Sequence, residues 1–270
     1  MLSLLTINIG AAAESRADRI LSWLATRPEQ VFLLTETSSG RGTARLLNRF
    51  RRAGYALVHT PAPGDRGAAL VSKIPVVQEP AAFAKVSLPG RVAAAVLDTR
   101  PRLCVASVYV PSRDRSAAKT DRKQQFIATL LQAVESLPVE HRDGLVLGGD
   151  YNVIGRNHRP THTGFLPFEY ALLDSLRASG MVDAHEHCHP GDQPHSWIGR
   201  TGDGYRYDYF HVSQALADLL TSSTYLHETR EETRWPRLTD HAAVTISLRA
   251  DAMALLETGD PTIDDEATLF

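Results

Sequence analysis

Cysteine is nearly missing from this chain: among 270 residues only Cys104 and Cys188 occur, and they form no CxxC pair. That excludes a disulfide framework and a thiolate zinc knuckle, and it fits a reducing compartment, so a cytoplasmic location is expected. Long apolar runs are also lacking. No stretch approaches the roughly 18 uninterrupted apolar residues that a membrane span needs, and the opening MLSLLTINIG has no basic region before its short apolar run. Neither a membrane partner nor a secretion signal is expected. Internal repeats and long linkers are absent, and nothing indicates an obligate protein partner. Charge of one sign is not in excess either, with 29 Lys and Arg against 31 Asp and Glu. A typical nucleic-acid-binding domain is more basic than that.

What remains is an ordinary globular composition, 43% apolar, at a length close to where single hydrophobic cores stop growing. The net charge of −2 hides an asymmetry. Residues 251–270 contain six acids (Asp251, Glu257, Asp260, Asp264, Asp265, Glu266) and no Lys or Arg. Removing those six charges leaves the first 250 residues at +4, a mild bias that suits an anionic substrate. The chain therefore divides into a body, 1–249, and an acidic C-terminal tail, 250–270. The tail is expected to be mobile or to dock late, and such an acidic strap could cover a basic cleft as a mimic of DNA.

Periodicity supplies the elements. LSLLTINIG and VFLLTE read as buried strands, and SRADRILSWLATR between them reads as an amphipathic helix that Ser15 could cap. A basic helix follows over about 43–53, then YALVHT, GAALVSK, RVAAAVLD and LCVASVYVPS as strands parted by Pro and Gly turns. Residues 119–137 form an amphipathic helix, GLVLGGDYNV a strand with a polar tip, and 168–179 a helix closed by Gly180. YRYDYFHVS and AAVTISLRA complete the strands. Helices and strands alternate without the strict βαβ order of a parallel doubly wound fold, which favours two mixed sheets packed face to face with helices outside.

Polar residues are read at the carboxyl ends of the apolar strands: Asn8, Glu36, Tyr109, Asp150, Asn152, Asp208, Asp240 and His241. Singly, each is a common turn former or cap. Jointly they make a set of carboxylates, amides, a phenol and an imidazole with no thiolate, which suits Mg²⁺ or Mn²⁺ and a phosphate ester.

The blocks TINIG, LLTETS, VYVPS, GGDYNV, YRYDYFHVS and LTDHAAV occur in an order and spacing that resembles the endonuclease/exonuclease/phosphatase family, over about residues 1–249. The resemblance implies an α+β fold, a four-layered αββα sandwich. It also implies roles. Glu36 matches the principal metal-binding glutamate, Asn8 the asparagine beside it, and Asp240 a further carboxylate on the metal side. Asp150 matches the aspartate that orients or deprotonates the attacking water, Asn152 an amide on the phosphate, and Tyr109 a phenol near it. His241 matches the histidine that hydrogen-bonds a phosphoryl oxygen, and Asp208 the aspartate that fixes its tautomer. Thr35, Ser112 and Tyr207 depart from the family's usual residues, which bears on positioning and not on reaction class.

The segment TGFLPFEYALLDSLRASGMVDAHE followed by HSWIG resembles the exonuclease III and apurinic endonuclease branch, with Trp197 at the aromatic position bordering the pocket for an extruded sugar. Ile198 stands where that branch usually has a second aromatic. The implied substrate is duplex DNA with an abasic site or a 3′ end, cut to leave a 3′-hydroxyl and a 5′-phosphate. Three basic stretches could track a nucleic-acid backbone: Arg41, Arg45, Arg49, Arg51 and Arg52; Arg113, Arg115, Lys119, Arg122 and Lys123; and Arg156 with Arg159. Such runs are usually solvated faces, but the second and third follow active-site strands, so Arg113, and above all Arg156 and Arg159, are expected to contact flanking phosphates. HEHCH, 185–189, packs its ligands too tightly to wrap one tetrahedral zinc and reads as a polar surface loop. A calcineurin-like phosphatase lacks its early Asp-x-His here. The remaining alternatives keep the fold and change the substrate to a phospholipid, an inositol phosphate or a small-metabolite phosphate, or keep the DNA and lose catalysis.

Overall fold

The computed structural model describes residues 1–231 and 236–263. Along the first half of the chain run β1 (Leu2–Asn8), α1 (Glu14–Ala25), β2 (Val31–Thr37), α2 (Arg41–Arg52), β3 (Ala56–His59), β4 (Gly67–Ser72), β5 (Val76–Gln78), β6 (Val92–Leu97), β7 (Thr99–Arg100) and β8 (Leu103–Tyr109). Then come α3 (Ala117–Glu135), α4 (Val139–Asp143), β9 (Leu145–Asp150), α5 (Pro167–Ala178), β10 (Met181–Asp183), α6 (Ala184–Cys188), β11 (Trp197–Ile198) and β12 (Gly204–Tyr205). The last are β13 (Asp208–Ser213), α7 (Gln214–Ala217), β14 (Leu220–Leu226), β15 (Ala243–Leu248) and β16 (Asp251–Ala252). Among the described residues, no helix is long and apolar enough to cross a membrane.

Two six-stranded sheets carry the architecture, one ordered β14-β15-β1-β2-β4-β3 and the other β10-β13-β9-β8-β6-β5. Each contains one parallel step, β1 with β2 and β8 with β9, among antiparallel ones. The alternation of side chains along the strands explains the layering. Leu2, Leu4 and Leu33 of the first sheet point inward to meet Val105, Val146, Phe210 and Val212 of the second. Leu5, Ile7, Phe32 and Leu34 point outward onto Ile20 and Leu24 of α1 and Leu46 and Phe50 of α2. On the far side, Cys104, Ala106 and Val108 meet Phe126, Ile127 and Leu130 of α3 and Leu172 of α5. This is the expected αββα sandwich, held mainly by burial worth about 1.5–3 kcal/mol for each large apolar side chain.

Several local expectations change. Helix α1 starts one residue before Ser15, and its N-cap, Ala13, has no side chain to offer. The strand expected over YRYDYFHVS is two elements, because Tyr205 belongs to a β11–β12 hairpin and the ladder to β9 begins only at Asp208. Strand β14 was not legible: LTSSTYL is polar because it is an edge strand with much of its length exposed. HEHCH is not a loop but the short helix α6, capped by Asp183, whose carboxylate accepts from the backbone N–H groups of His185 and Glu186. His185 Nε2 meets Asp192 and His189 Nε2 meets the Ser223 carbonyl, so those two imidazoles face different partners.

Of the two expectations for the tail, mobile or docked, the described part, 250–263, is docked, and away from the cleft. Ala250 is buried, β16 pairs with β7, Leu256 N–H donates to the Lys73 carbonyl, and Gly259 N–H donates to the Ala53 carbonyl. Arg49 Nη1 reaches the Ile263 carbonyl. These anchors lie at the β6–β8 turn, the end of β4 and the end of α2, opposite the strand ends that carry Glu36 and Asp150. Asp264, Asp265 and Glu266 lie outside the described residues.

Candidate active site

Because β1 and β2 are parallel, Asn8 and Glu36 leave the first sheet at one edge; β8 and β9 do the same for Tyr109, Asp150 and Asn152 in the second. Asp208 and His241 reach that edge differently. Strand β13 runs antiparallel to β9 and β15 antiparallel to β1, so their amino ends, with Asp208 and His241 there, lie beside the carboxyl ends of their neighbours. The expectation of carboxyl ends therefore holds for Asn8, Glu36, Tyr109 and Asp150 but not for Asp208 and His241, which stand at the amino ends of β13 and β15, where those strands enter the site.

At the site, two bonds between side chains tie the sheets together. Asn8 Nδ2 donates to Asp150 Oδ2 at 2.9 Å and also to Glu36 Oε1 at 3.1 Å, while its Oδ1 accepts from the Gly10 N–H. His241 Nδ1 lies 2.7 Å from Asp208 Oδ2. Asp150 further accepts from the Asn152 backbone N–H at 2.9 Å and from its Nδ2 at 3.2 Å. Glu36 and Asn152 both adopt positive φ, +54° and +49°, which is unusual for non-glycine residues and collects at functional sites. Glu36 is the extra residue of a bulge in the β2–β4 ladder, between Thr35 and Thr37, and the bulge re-aims its side chain.

The electrostatics are crowded with negative charge. Burial first, then the Asp208 and Glu36 carboxylates, raise Asp150 well above the ordinary carboxylate range. Burial alone would lower His241, but Asp208, with Asp150 and Asp240 nearby, raises it to about 10. Its imidazolium is therefore held at neutral pH. Asp240 is penalised by burial yet kept low by His241 and by Trp197, whose Nε1 donates to Asp240 Oδ2 at 3.1 Å. Burial, then Glu36 and Asp150, push the Tyr109 phenol up, so it remains a proton donor, and the Arg91 guanidinium lies 4.6 Å from its ring centroid.

These residues fit a hard cation. Asp208 Oδ1 is buried without a hydrogen-bond partner, and Asp150, Asp208 and His241 present ligand atoms within 4.8 Å of one another. A divalent ion among carboxylate oxygens would relieve the repulsion that raises Asp150. That triplet differs from the set Glu36, Asn8 and Asp240 implied by resemblance. Glu36 is linked to Asp150 through Asn8, whereas Asp240 is engaged by the Trp197 indole.

A cleft of about 490 Å³ opens over these groups, lined by Glu36, Asn152, Asp240 and His241, by Arg113, Arg115 and Lys123, and by the rings of Phe165, Trp197, Tyr205 and Tyr207. Trp197 thus stands at the cleft, tied to it by a backbone bridge to His241. The expected phosphate-contacting arginines are placed differently. Arg113 is largely buried, its Nε and Nη2 on Glu169 and Nη2 also on the Gly164 carbonyl. Arg156 pairs with Asp174 and faces a separate cavity behind the second sheet. Arg159 is exposed on a neighbouring loop, with its backbone N–H on Gln193. Among the described residues, none of the three contacts Glu36, Asp150, Asp208 or Asp240, and of the three only Arg113 lines the cleft.

Lys123, expected in a basic stretch that could meet phosphates, is instead a buried structural cation. It is 1% exposed, and its Nζ donates to the Asn152 carbonyl and to Glu169 Oε1, both at 2.7 Å. The signal was present, because Phe126, Ile127 and Leu130 follow it at helical spacing and place it on the apolar face of α3. Tyr205 and Tyr207 were missed as cleft residues because YRYDYFHVS read as one strand.

Among solved structures, the chain resembles the 3′ phosphatase NExo from Neisseria, solved with product DNA hairpin, at 23% identity and a TM-score of 0.76, over 92% of this chain and 99% of that one. It also resembles an AP endonuclease from Archaeoglobus fulgidus at 20% identity and a TM-score of 0.71, over 92% and 100%. AP endonuclease LMAP from Leishmania major follows at 19% identity and a TM-score of 0.67, over 92% and 87%. At these identities the likeness speaks for the fold. No curated protein sequence matches. A family profile, however, described as Endonuclease/Exonuclease/phosphatase family, matches residues 5–263, nearly the whole chain and across the boundary expected at 249. With that match and a site of this composition at the shared edge of two sheets, the chain belongs to the endonuclease/exonuclease/phosphatase family, whose members are metal-dependent hydrolases of phosphoester bonds.

Proposed function

We propose that this chain hydrolyses phosphodiesters of DNA with Mg²⁺ or Mn²⁺, acting at an abasic site or a 3′ end and leaving a 3′-hydroxyl and a 5′-phosphate. The observation that carries the reading is the pair of bonds between the sheets, Asn8 to Asp150 and His241 to Asp208, which fixes a carboxylate and an imidazolium on one cleft. The DNA substrate is supported by the fold likeness to a protein solved with product DNA hairpin and to AP endonucleases.

The chemistry follows from the contacts. Asp150, raised by burial and charge, is the proton acceptor for a water approaching phosphorus. Asn8 and Asn152 hold its carboxylate through three hydrogen bonds, so it need not reorganise. Since His241 Nδ1 is committed to Asp208, its Nε2 is left to donate to a phosphoryl oxygen. Tyr109 stays protonated beside Glu36 and Asp150, and so can donate to the Glu36 carboxylate. A divalent ion held by Glu36 and Asp150, with Asp208 beside them, would supply positive charge against the negative charge that develops on the phosphate.

The test is cleavage of three labelled duplexes, one intact, one with a single abasic analogue and one with a recessed 3′ end, in Mg²⁺ and in EDTA, beside a Glu36→Ala control. Cutting that needs both the metal and Glu36 is expected. Absence of cutting on every duplex would reject DNA and send the search to phospholipids, inositol phosphates and small phosphate esters.

A further inference from the structure

Glu36, which Asn8 links to Asp150, has a cation of its own beside it: Arg66 Nε lies 3.7 Å from Glu36 Oε2. The backbone puts it there. Gly67 pairs with Thr37 across the bulge that carries Glu36, and Arg66 is the residue just before Gly67. This start of β4 is tightly seated, since a Cβ on Gly67 would meet the Gly90 carbonyl oxygen at 2.6 Å and Thr37 Oγ1 at 2.8 Å. The acid next to Arg66 in sequence is already taken. Asp65 is gripped by Arg91, Nη2 to Oδ1 at 2.6 Å, and by Arg122.

The pair between Arg66 and Glu36 is loose. It is longer than a hydrogen bond, and with the Arg66 side chain 48% exposed such a pair contributes little to stability. A guanidinium so placed keeps its N–H donors, whose fork geometry matches phosphate oxygens. Two other cations of the cleft, Arg113 and Lys123, are committed to Glu169. A divalent ion on Glu36 would repel a guanidinium held by the same carboxylate. The side chain would then turn its charge to an anion at the mouth of the cleft.

We propose that Arg66 is a movable counter-ion, which competes with the divalent ion for Glu36 and, once displaced, binds a non-bridging phosphate oxygen of the substrate. The inference rests on the reading of the chain as a metal-dependent DNA phosphodiesterase and adds a coupling to it. Ion and DNA both favour the state in which Arg66 has left Glu36, so each raises the affinity for the other. Proton transfer remains with Asp150 and His241.

Mn²⁺ binding to the full chain without DNA, followed by the EPR signal of the free ion, is compared for the native protein, Arg66→Gln and Arg66→Lys. Arg66→Gln should bind the ion about fivefold more tightly, the scale of one partly exposed charge pair, while Arg66→Lys stays near the native value. Cutting of the abasic duplex gives the second readout. In Arg66→Gln the Mg²⁺ concentration for half-maximal rate should fall while KM for the duplex rises by about fivefold. A residue that only supported the fold would worsen both. Mn²⁺ affinity that is unchanged or weaker in Arg66→Gln overturns the competition, and an unchanged KM overturns the transfer to phosphate. Absence of cutting on every duplex overturns the DNA reading and the transfer with it, whereas the Mn²⁺ titration contains no DNA and decides the competition by itself.

Discussion

The 2.7 Å contact between His241 Nδ1 and Asp208 Oδ2 decides what the other ring nitrogen can do. An Asp208→Asn substitution keeps the shape but removes the charge that raises His241, and it allows the wrong tautomer. Single-turnover cleavage should fall by about 10²–10⁴-fold with little change in substrate binding. Lys123 poses a different question. Its ammonium and the Glu169 carboxylate are both buried, and Arg113 completes the cluster. Lys123→Met leaves Glu169 with one cation fewer and the Asn152 carbonyl without its donor, so urea unfolding should show a loss of about 3–5 kcal/mol. The residues that meet at the candidate site were legible because each breaks or bounds an apolar strand with a polar side chain. The partners of Arg113, Arg156 and Arg159 were not, because Glu169, Asp174 and Gln193 lie on other segments that only the fold brings near.

Among the elements, β13 shows how one strand serves two purposes. Its first residue, Asp208, belongs to the cleft, while His211, three residues on, is buried against the rings of Tyr151 and Tyr209. Burial lowers His211 from 6.5 to about 4, with Asp183 opposing and Arg206 reinforcing the shift. Between those values the unfolded chain binds more protons than the folded one, so stability drops as pH falls from about 6.5 towards 4. Asp183, burdened by burial but held to about 2 by Arg206, extends the loss to lower pH. Replacing His211 by Gln should flatten the first part of this acid limb in melting curves, and an unaltered slope would assign it to other groups. The strands and long helices of the sandwich could be read from periodicity 2 and 3.6. The short hairpin β11–β12, the polar edge strand β14 and helix α6 could not, since their stability comes from contacts and caps and not from an apolar pattern.

On the scale of the molecule, the acidic tail works as a brace along the end remote from the cleft. Deleting residues 251–270 removes the β16–β7 pairing and the bonds to Lys73 and Ala53. Urea unfolding should then register a loss of about 2–4 kcal/mol from the missing hydrogen bonds. DNA affinity at low salt should stay the same; a rise would restore the idea of a strap over the cleft. The four-layer plan itself was visible in the sequence, but the docking of the tail was not, because acidity says nothing about which backbone groups a segment can reach.

The cleft belongs to neither sheet alone. Asn8, Glu36, Asp240 and His241 come from one, and Tyr109, Asp150, Asn152 and Asp208 from the other, so catalytic geometry doubles as a gauge of how the two sheets are seated. Gly148 sits in the seam between them: a Cβ there would meet the Phe210 ring at 2.4 Å and Leu33 Cδ1 at 2.7 Å. Gly148→Ala would act as a shim, prising apart the two halves of a machine two residues along β9 from Asp150. Such a protein would still show the spectrum of a folded sandwich, would lose about 1–3 kcal/mol in unfolding, and would cut slowly because the groups on the two sheets no longer meet.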